Sequence, residues 1–267
     1  MNERRKRLID IFQDTIKQVN EDQNLIDSCS ESRKSTLFVP ADKYFDISSF
    51  KNKDGLVRVN ENKTFQDVFM LHKQYPNKKI CALNFASATN PGGMVKQGSS
   101  AQEECLCRSS TLYFSLDIRY LHTKYYEPHK YKKDPLYTDA LIYIPKIKII
   151  KTDDDFPVRL PKKEYVDVDI ITCAAPNLRR IEISDEELYN LHLSRARHIL
   201  NVAVSQGVDI IVLGAFGCGA FKNNPWVVAK AFKEVLKEYA KYFEIVDFAV
   251  YHREFEDENF KAFKETI

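Results

Sequence analysis

Val208–Gly214 (VDIIVLG) is almost wholly apolar. An extended run with no polar face is stable only when both sides of the sheet are covered, so it belongs at the centre of a helix-flanked sheet. Lys79–Phe85 (KICALNF) and Tyr165–Ala174 have the same character. The first and last of these runs each lead into a glycine-bearing loop and then a helical pattern, and Glu244–His252 adds a final strand. Strand, loop and helix in that repeating order predict the α/β class, a mixed sheet between layers of helices. Ligands of such sheets bind beyond the carboxyl ends of the strands. Two loops leave the sheet there, Asn84–Ser110 and Gly214–Phe221.

The remaining elements follow from periodicity and caps. Asn2 to about Val19 reads as an amphipathic helix with Leu8, Ile9, Phe12, Ile16 and Val19 on one face. Thr36–Val39 and Leu56–Val59 read as short strands, and Thr64 as the cap of a helix to about Tyr75, with Asp67 in the capping-box position. Residues 1–75 form an N-terminal accessory segment packed on a core of residues 76–267, the whole being one globular unit. Cys105–Leu116 reads as one helix, and Tyr120–Tyr137 as a surface loop packing its own tyrosines. Leu141–Ile144 and Lys146–Ile150 are strands broken at Pro145, and Asp153–Asp155 is a solvated charged turn. Ser184 opens a helix that runs to about Ser205 and stops at Gly207. His192 and His198 stand six residues apart on it, off a common face, so neither reads as a ligand. A further helix runs from Pro225 to about Tyr239, and Phe255–Ile267 is a short terminal helix.

Composition excludes several classes. The 267 residues carry 40 basic and 38 acidic side chains, a formal charge of +2, which makes no case for a membrane surface or for direct sequence-specific nucleic-acid binding. No apolar run approaches the ~20 residues of a membrane span. The N-terminus has a basic start without the apolar stretch of a secretion signal. Six cysteines form no C-x-x-C pair and no histidines lie at zinc spacing, so reduced thiols and a cytoplasmic location are expected, with no metal.

The chemistry sits in the two loops. In the first, Asn84 and Asn90 offer amides, and Pro91-Gly92-Gly93 makes a turn whose bare backbone can lie against a ligand. Gln102-Glu103-Glu104 follows at a helix start, where acids are also favoured for purely electrostatic reasons. In the second, Gly214, Gly217 and Gly219 free backbone N–H groups just before a helix N-terminus, an arrangement that cradles phosphates or simply turns the chain. It is neither a Walker loop nor G-x-G-x-x-G. Diphosphate on one loop and carboxylates on the other point to cleavage of a bond near a phosphorylated sugar. A glycosidic bond breaks through an oxocarbenium-like state that needs an acid and then a base. Adjacent glutamates cannot straddle the bond, so one carboxyl must act twice.

The glycine run followed by Gln102-Glu103-Glu104 is the signature of poly(ADP-ribose) glycohydrolases, and this chain resembles the microbial type of that family. The likeness continues through Leu136–Pro145, Asp169–Asn177 and Leu213–Pro225, covering nearly the whole chain. It implies a macrodomain-like three-layer fold and hydrolysis of ribose–ribose bonds in poly(ADP-ribose) on modified proteins, with no cofactor. Glu104 takes the general acid/base role, and Glu103 and Gln102 position the ribose. Asn84, Ala86, Asn90, Pro91, Gly92 and Gly93 line the substrate. Gly217, Cys218, Gly219, Ala220 and Phe221 wrap the diphosphate, with Phe221 close to the adenosine. The family carries a third glycine where this chain has Met94. A methionine there excludes the φ > 0 conformations open to glycine. Either the loop shifts to accept it, or the pocket narrows. The narrowed pocket leaves two further readings: an ADP-ribose reader without turnover, or a mono-ADP-ribosyl hydrolase.

Overall fold

The structure, a computed structural model, describes residues 2–255 and 257–267. Among these residues seven strands form one sheet in the order β1-β4-β5-β3-β6-β7-β2. They are β1 (Leu37–Val39), β2 (Leu56–Asn60), β3 (Ile80–Phe85), β4 (Leu141–Ile149), β5 (Val166–Cys173), β6 (Ile210–Leu213) and β7 (Ile245–Ala249). β5, β3, β6, β7 and β2 run parallel, while β4 is antiparallel to both β1 and β5. The helices are α1 (Glu3–Glu21), α2 (Gln23–Lys34), α3 (Thr64–Gln74), α4 (Gln102–Ser109), α5 (Leu112–Leu116), α6 (Arg119–Leu121), α7 (Glu127–Lys132), α8 (Asp185–Ser205), α9 (Pro225–Tyr239) and α10 (Glu258–Thr266).

Side chains alternate along each central strand between two cores. Leu83, Ile171, Ile211 and Val246 face the layer built on α8, α9 and α10. Ala82, Ile170, Val212 and Ile245 face the layer that receives Phe12 of α1, Phe65 of α3 and Leu106 of α4. Burial on both faces is what the unbroken apolar runs require. Residues 1–75 and 76–267 meet in this one sheet, because β1 and β2 cover its opposite edges. Short edge strands of this kind close an otherwise open parallel sheet.

Several elements differ from expectation for local reasons. The predicted first helix is α1, and a second helix that the sequence reading did not assign, α2, follows it at Asp22, whose side chain accepts the Asn24 N–H at 3.1 Å. The expected Cys105–Leu116 helix starts at Gln102 and breaks at Ser110, which is extended and bridges to Ile149. Tyr120–Tyr137 is mostly helical, with a π-helical turn at His122–Tyr126 between α6 and α7, and it buries Tyr125 and Tyr126 while leaving Tyr131 exposed. Pro145 does not end a strand. β4 passes through it with a bulge between Ile144 and Ile147, the place where a strand tolerates proline. At the start of α3 the cap is Lys63, and Thr64 is its first helical residue. The Lys63 N–H is taken by Gln66 Oε1 at 3.1 Å. Asp67 is buried instead, where it accepts from Asn60 and Asn62, and burial with nearby Asp247 pushes it up to about 6. Asp153 is not in a solvated turn. It is buried and accepts the Phe65 N–H at 2.8 Å, a carboxylate at a helix N-terminus. The expectations for Ser184, Gly207 and Pro225 hold, with α8 capped by Ser184 and α9 by Asn224. No helix among the described residues is long and apolar enough to cross a membrane.

Candidate active site

β3 and β6 are parallel neighbours, so the loops that leave their carboxyl ends face one another. The first is locked by α4. Gln102 Oε1 accepts the Phe85 N–H and its Nε2 donates to Leu83 O, both at 2.8 Å, with a further bond to Thr64 Oγ1 at 3.1 Å. One amide therefore clasps a single edge of the strand end, on either side of Asn84. It holds the helix start against β3, and its donors and acceptor are occupied by protein.

The two carboxylates behave differently from helix-end charges, because both reach back to the preceding loop. Glu103 Oε2 accepts the Ser87 N–H at 2.7 Å, and its Oε1 accepts from Asn84 Nδ2 at 3.3 Å. Burial pushes Glu103 up to about 8 against the Ser87 bond, with the neighbouring Glu104 charge adding to the rise. Asn84 Oδ1 is buried and takes no hydrogen bond from any described residue. Glu104 Oε1 accepts the Met94 N–H at 2.9 Å, while its Oε2 takes no hydrogen bond from any described residue.

Glycine is demanded at two positions of the turn. Gly92 has φ +69°, and a Cβ there would lie 2.7 Å from the Tyr113 ring. Gly93 has φ +58°, and a Cβ would lie 2.5 Å from Glu104 Oε1. Met94 is different. Its φ of −108° and ψ of 32° are open to any residue, and its side chain is half exposed. The expected exclusion of a side chain at this position does not arise, since the left-handed conformations end at Gly93.

The second loop is pinned from beneath. Asn223 Nδ2 donates to Pro176 O at 2.7 Å and Phe221 O at 3.2 Å, and its Oδ1 is bonded to His192 Nε2 at 2.6 Å. Gly217 has φ +81°, with a built Cβ only 2.5 Å from the Ala175 methyl. At Gly219 no described residue lies within 4 Å of such an atom. The N–H groups of Gly219, Ala220 and Phe221 have no acceptor among the described residues, leaving them for an anion just before the N-terminus of α9.

Both loops open on one cleft of about 710 Å³. Of the residues named from sequence, Asn90, Gly93, Gln102, Glu103, Glu104, Gly217, Gly219, Ala220 and Phe221 line it. Asn84, Ala86, Pro91, Gly92 and Cys218 do not. Asn84 and Ala86 are buried behind it, the Ala86 N–H being taken by Cys173 O at 3.0 Å. Cys218 packs against the apolar core, where burial pushes its thiol up. The cleft also takes residues that sequence reasoning missed. They include Tyr137 and Arg179, which lie beside Phe221, with Asn177, and also Arg4, Lys63 and Tyr251, the Lys63 ammonium lying over the Tyr251 ring. Tyr251 follows the end of β7, where the strand-end rule would have found it. Tyr137 was hidden in an apparent surface loop, and Arg4 carries no sequence signal beyond a basic helix start.

Comparison with known proteins agrees with this geometry. The family described as "Microbial-type PARG, catalytic domain" matches residues 9–152. The structure is similar to that of poly(ADP-ribose) glycohydrolase from Thermomonospora curvata bound to the inhibitor ADP-HPD, at 30% identity and a TM-score of 0.86, covering 97% of this chain and 99% of that one. It is also similar to the Deinococcus radiodurans enzyme in complex with ADP-ribose, at 35% identity and a TM-score of 0.76, covering 89% and 96% respectively. No curated protein matches the chain.

Proposed function

The chain belongs to the microbial-type poly(ADP-ribose) glycohydrolase family, and on that basis we propose that its cleft hydrolyses the ribose–ribose O-glycosidic bond of poly(ADP-ribose) and releases ADP-ribose. The observation that carries this reading is the state of Glu104: one oxygen is fixed by the Met94 N–H, and the other has no partner among the described residues in a cleft facing the phosphate-type loop. Protonated Glu104 donates to the leaving ribosyl oxygen as the bond to the anomeric carbon breaks, and that oxygen keeps the electron pair. The resulting carboxylate takes a proton from water as the water oxygen bonds the anomeric carbon, which restores the acid. The bound diphosphate, held by the loop from Gly217 to Phe221, offsets positive charge on the sugar. Glu103 contributes by position, holding the turn at Ser87 from a carboxyl that its burial keeps largely protonated near neutral pH.

A reader without turnover was motivated by Met94. Met94 sits in ordinary backbone geometry and its N–H aligns Glu104, which supports turnover, while its side chain lines the cleft. The substrate in the cell is ADP-ribose polymer on modified proteins. Six unpaired cysteines, four of them buried, support a reducing, cytoplasmic setting. The test is release of free ADP-ribose from defined polymer and from a mono-ADP-ribosylated peptide, by the unaltered protein and by Glu104→Gln. Polymer cleavage that falls about 10²–10⁴-fold in the variant, with ADP-ribose affinity retained, is the expected result. Tight ADP-ribose binding without polymer cleavage by the unaltered protein would return the reading to a binding module.

A further inference from the structure

His192 is a titratable side chain that the chemistry above leaves unused, sealed inside the fold on α8. Its Nε2 lies 2.6 Å from Asn223 Oδ1. The amide's other contacts fix which way round it stands. Asn223 Nδ2 has Pro176 O at 2.7 Å and Phe221 O at 3.2 Å, and carbonyl oxygens only accept. Oδ1 must therefore face the imidazole, and since it too only accepts, the ring proton is on Nε2. Nδ1 takes no hydrogen bond from any described residue. Burial pulls the imidazole down to about 3 against the Asn223 bond, so the ring is neutral.

Asn223 in turn fastens the loop at both ends. Its backbone N–H donates to Gly217 O at 3.1 Å, and its Cγ lies 3.0 Å from where a Gly217 Cβ would be. Its Nδ2 holds the carbonyl of Phe221 and ties it to Pro176, in the loop that leaves β5. The free N–H groups of Gly219, Ala220 and Phe221 lie between these fastened ends. Among the described residues, His192 is the donor to Asn223 Oδ1. Without it that oxygen is a buried acceptor left unpaired, which costs more than the net worth of the bond. The same ring meets Phe216 edge-on at 5.7 Å, so α8 supports the start of the loop as well.

We propose that His192 is a positioning residue for diphosphate binding: its Nε2–H orients the Asn223 amide, and that amide holds Gly217–Phe221 in the shape that presents three N–H groups to the ligand. This rests on the reading of that loop as the diphosphate cradle. His192 does not line the cleft and acts across Asn223. A neutral imidazole suits the place, since it donates one hydrogen bond without setting an unpaired charge in the core.

The test compares His192→Phe, which keeps a ring without a donor, with His192→Gln, whose amide can place an N–H near the position of Nε2. ADP-ribose binding to the full chain is followed by calorimetry, and adenosine binding by NMR titration. His192→Phe should weaken ADP-ribose on the order of 10-fold, the scale of losing a buried hydrogen-bond partner, and leave adenosine within about two-fold. His192→Gln should recover most of that loss. A double variant with Asn223→Ala should bind ADP-ribose no more weakly than Asn223→Ala alone, because both changes act through one amide. Nitrogen-15 NMR of the unaltered protein does not depend on how the variants fold. It should show His192 protonated at Nε2 and bare at Nδ1 from about pH 8 to about pH 5, a range in which an ordinary histidine titrates. A ring protonated at Nδ1, or charged within that range, would overturn the proposal. So would unchanged ADP-ribose affinity in a folded His192→Phe protein, or an equal loss for adenosine, which marks general damage to the site. If the unaltered protein holds adenosine as tightly as ADP-ribose, the diphosphate reading of the loop falls, and this inference with it.

Discussion

Gly93→Ala isolates the part of the loop on which the acid depends. The Cβ of an alanine would stand 2.5 Å from Glu104 Oε1, whereas ordinary contact begins at 3.4 Å. The carboxylate must therefore retreat by about 0.9 Å, the difference between those two distances, or the turn must open. The same move lengthens or breaks the bond from the Met94 N–H that now measures 2.9 Å. A misplacement of ~1 Å at a reacting group costs about 10²-fold in rate. The backbone adds a separate cost, since φ at this position is +58° and a left-handed L-residue is unfavourable by about 1–2 kcal/mol. Against a typical ~5–15 kcal/mol of stability the protein stays folded, with a fall in Tm of about 2–4 °C per kcal/mol. Single-turnover release of ADP-ribose at saturating polymer, alongside a thermal melt, separates the two effects. A drop of about 10² in rate with a Tm loss of only a few degrees is expected. Unaltered turnover in a variant that melts as calculated would refute the idea that this turn sets the position of Glu104.

Three further outcomes follow from the same geometry. Met94→Gly should leave polymer turnover and ADP-ribose affinity within a few-fold of the parent, because residue 94 already adopts a conformation any residue can hold; a large gain in turnover would show that the methionine obstructs the cleft. Gly219→Glu should fold normally, since its built Cβ meets nothing within 4 Å, yet lose ADP-ribose binding in calorimetry by setting bulk and negative charge against the phosphates. Glu103→Gln should flatten the pH dependence of stability. The folded carboxyl titrates at about 8, above its usual 4.5, so the native state binds the extra proton between those values. The contribution is whole below about 4.5 and is lost as pH rises through 8, with a slope of up to about 1.4 kcal/mol per pH unit for one proton. Urea unfolding of parent and variant at several pH values across that window measures the difference. Parallel curves would show that Glu103 is not held protonated.

Much of this protein is legible in its sequence, because the apolar runs of β3, β5 and β6 leave no choice but a sheet covered on both faces. Chain order then puts Asn84–Ser110 and Gly214–Phe221 at the same edge of that sheet. The identities of Glu103, Glu104, Gly92, Gly93 and Gly217 follow from chemistry and turn geometry at that edge. Tertiary structure alone decided what surrounds each of the neighbouring acids. Sequence places them side by side, but only the fold surrounds Glu103 with Asn84 and Ser87 while leaving one oxygen of Glu104 free. It also decided that Gln102 spends its amide on the end of β3, and that the left-handed stretch ends one residue before Met94. Hydrogen-bond partners and backbone dihedrals depend on what is brought alongside from elsewhere in the chain, and residue type does not specify them.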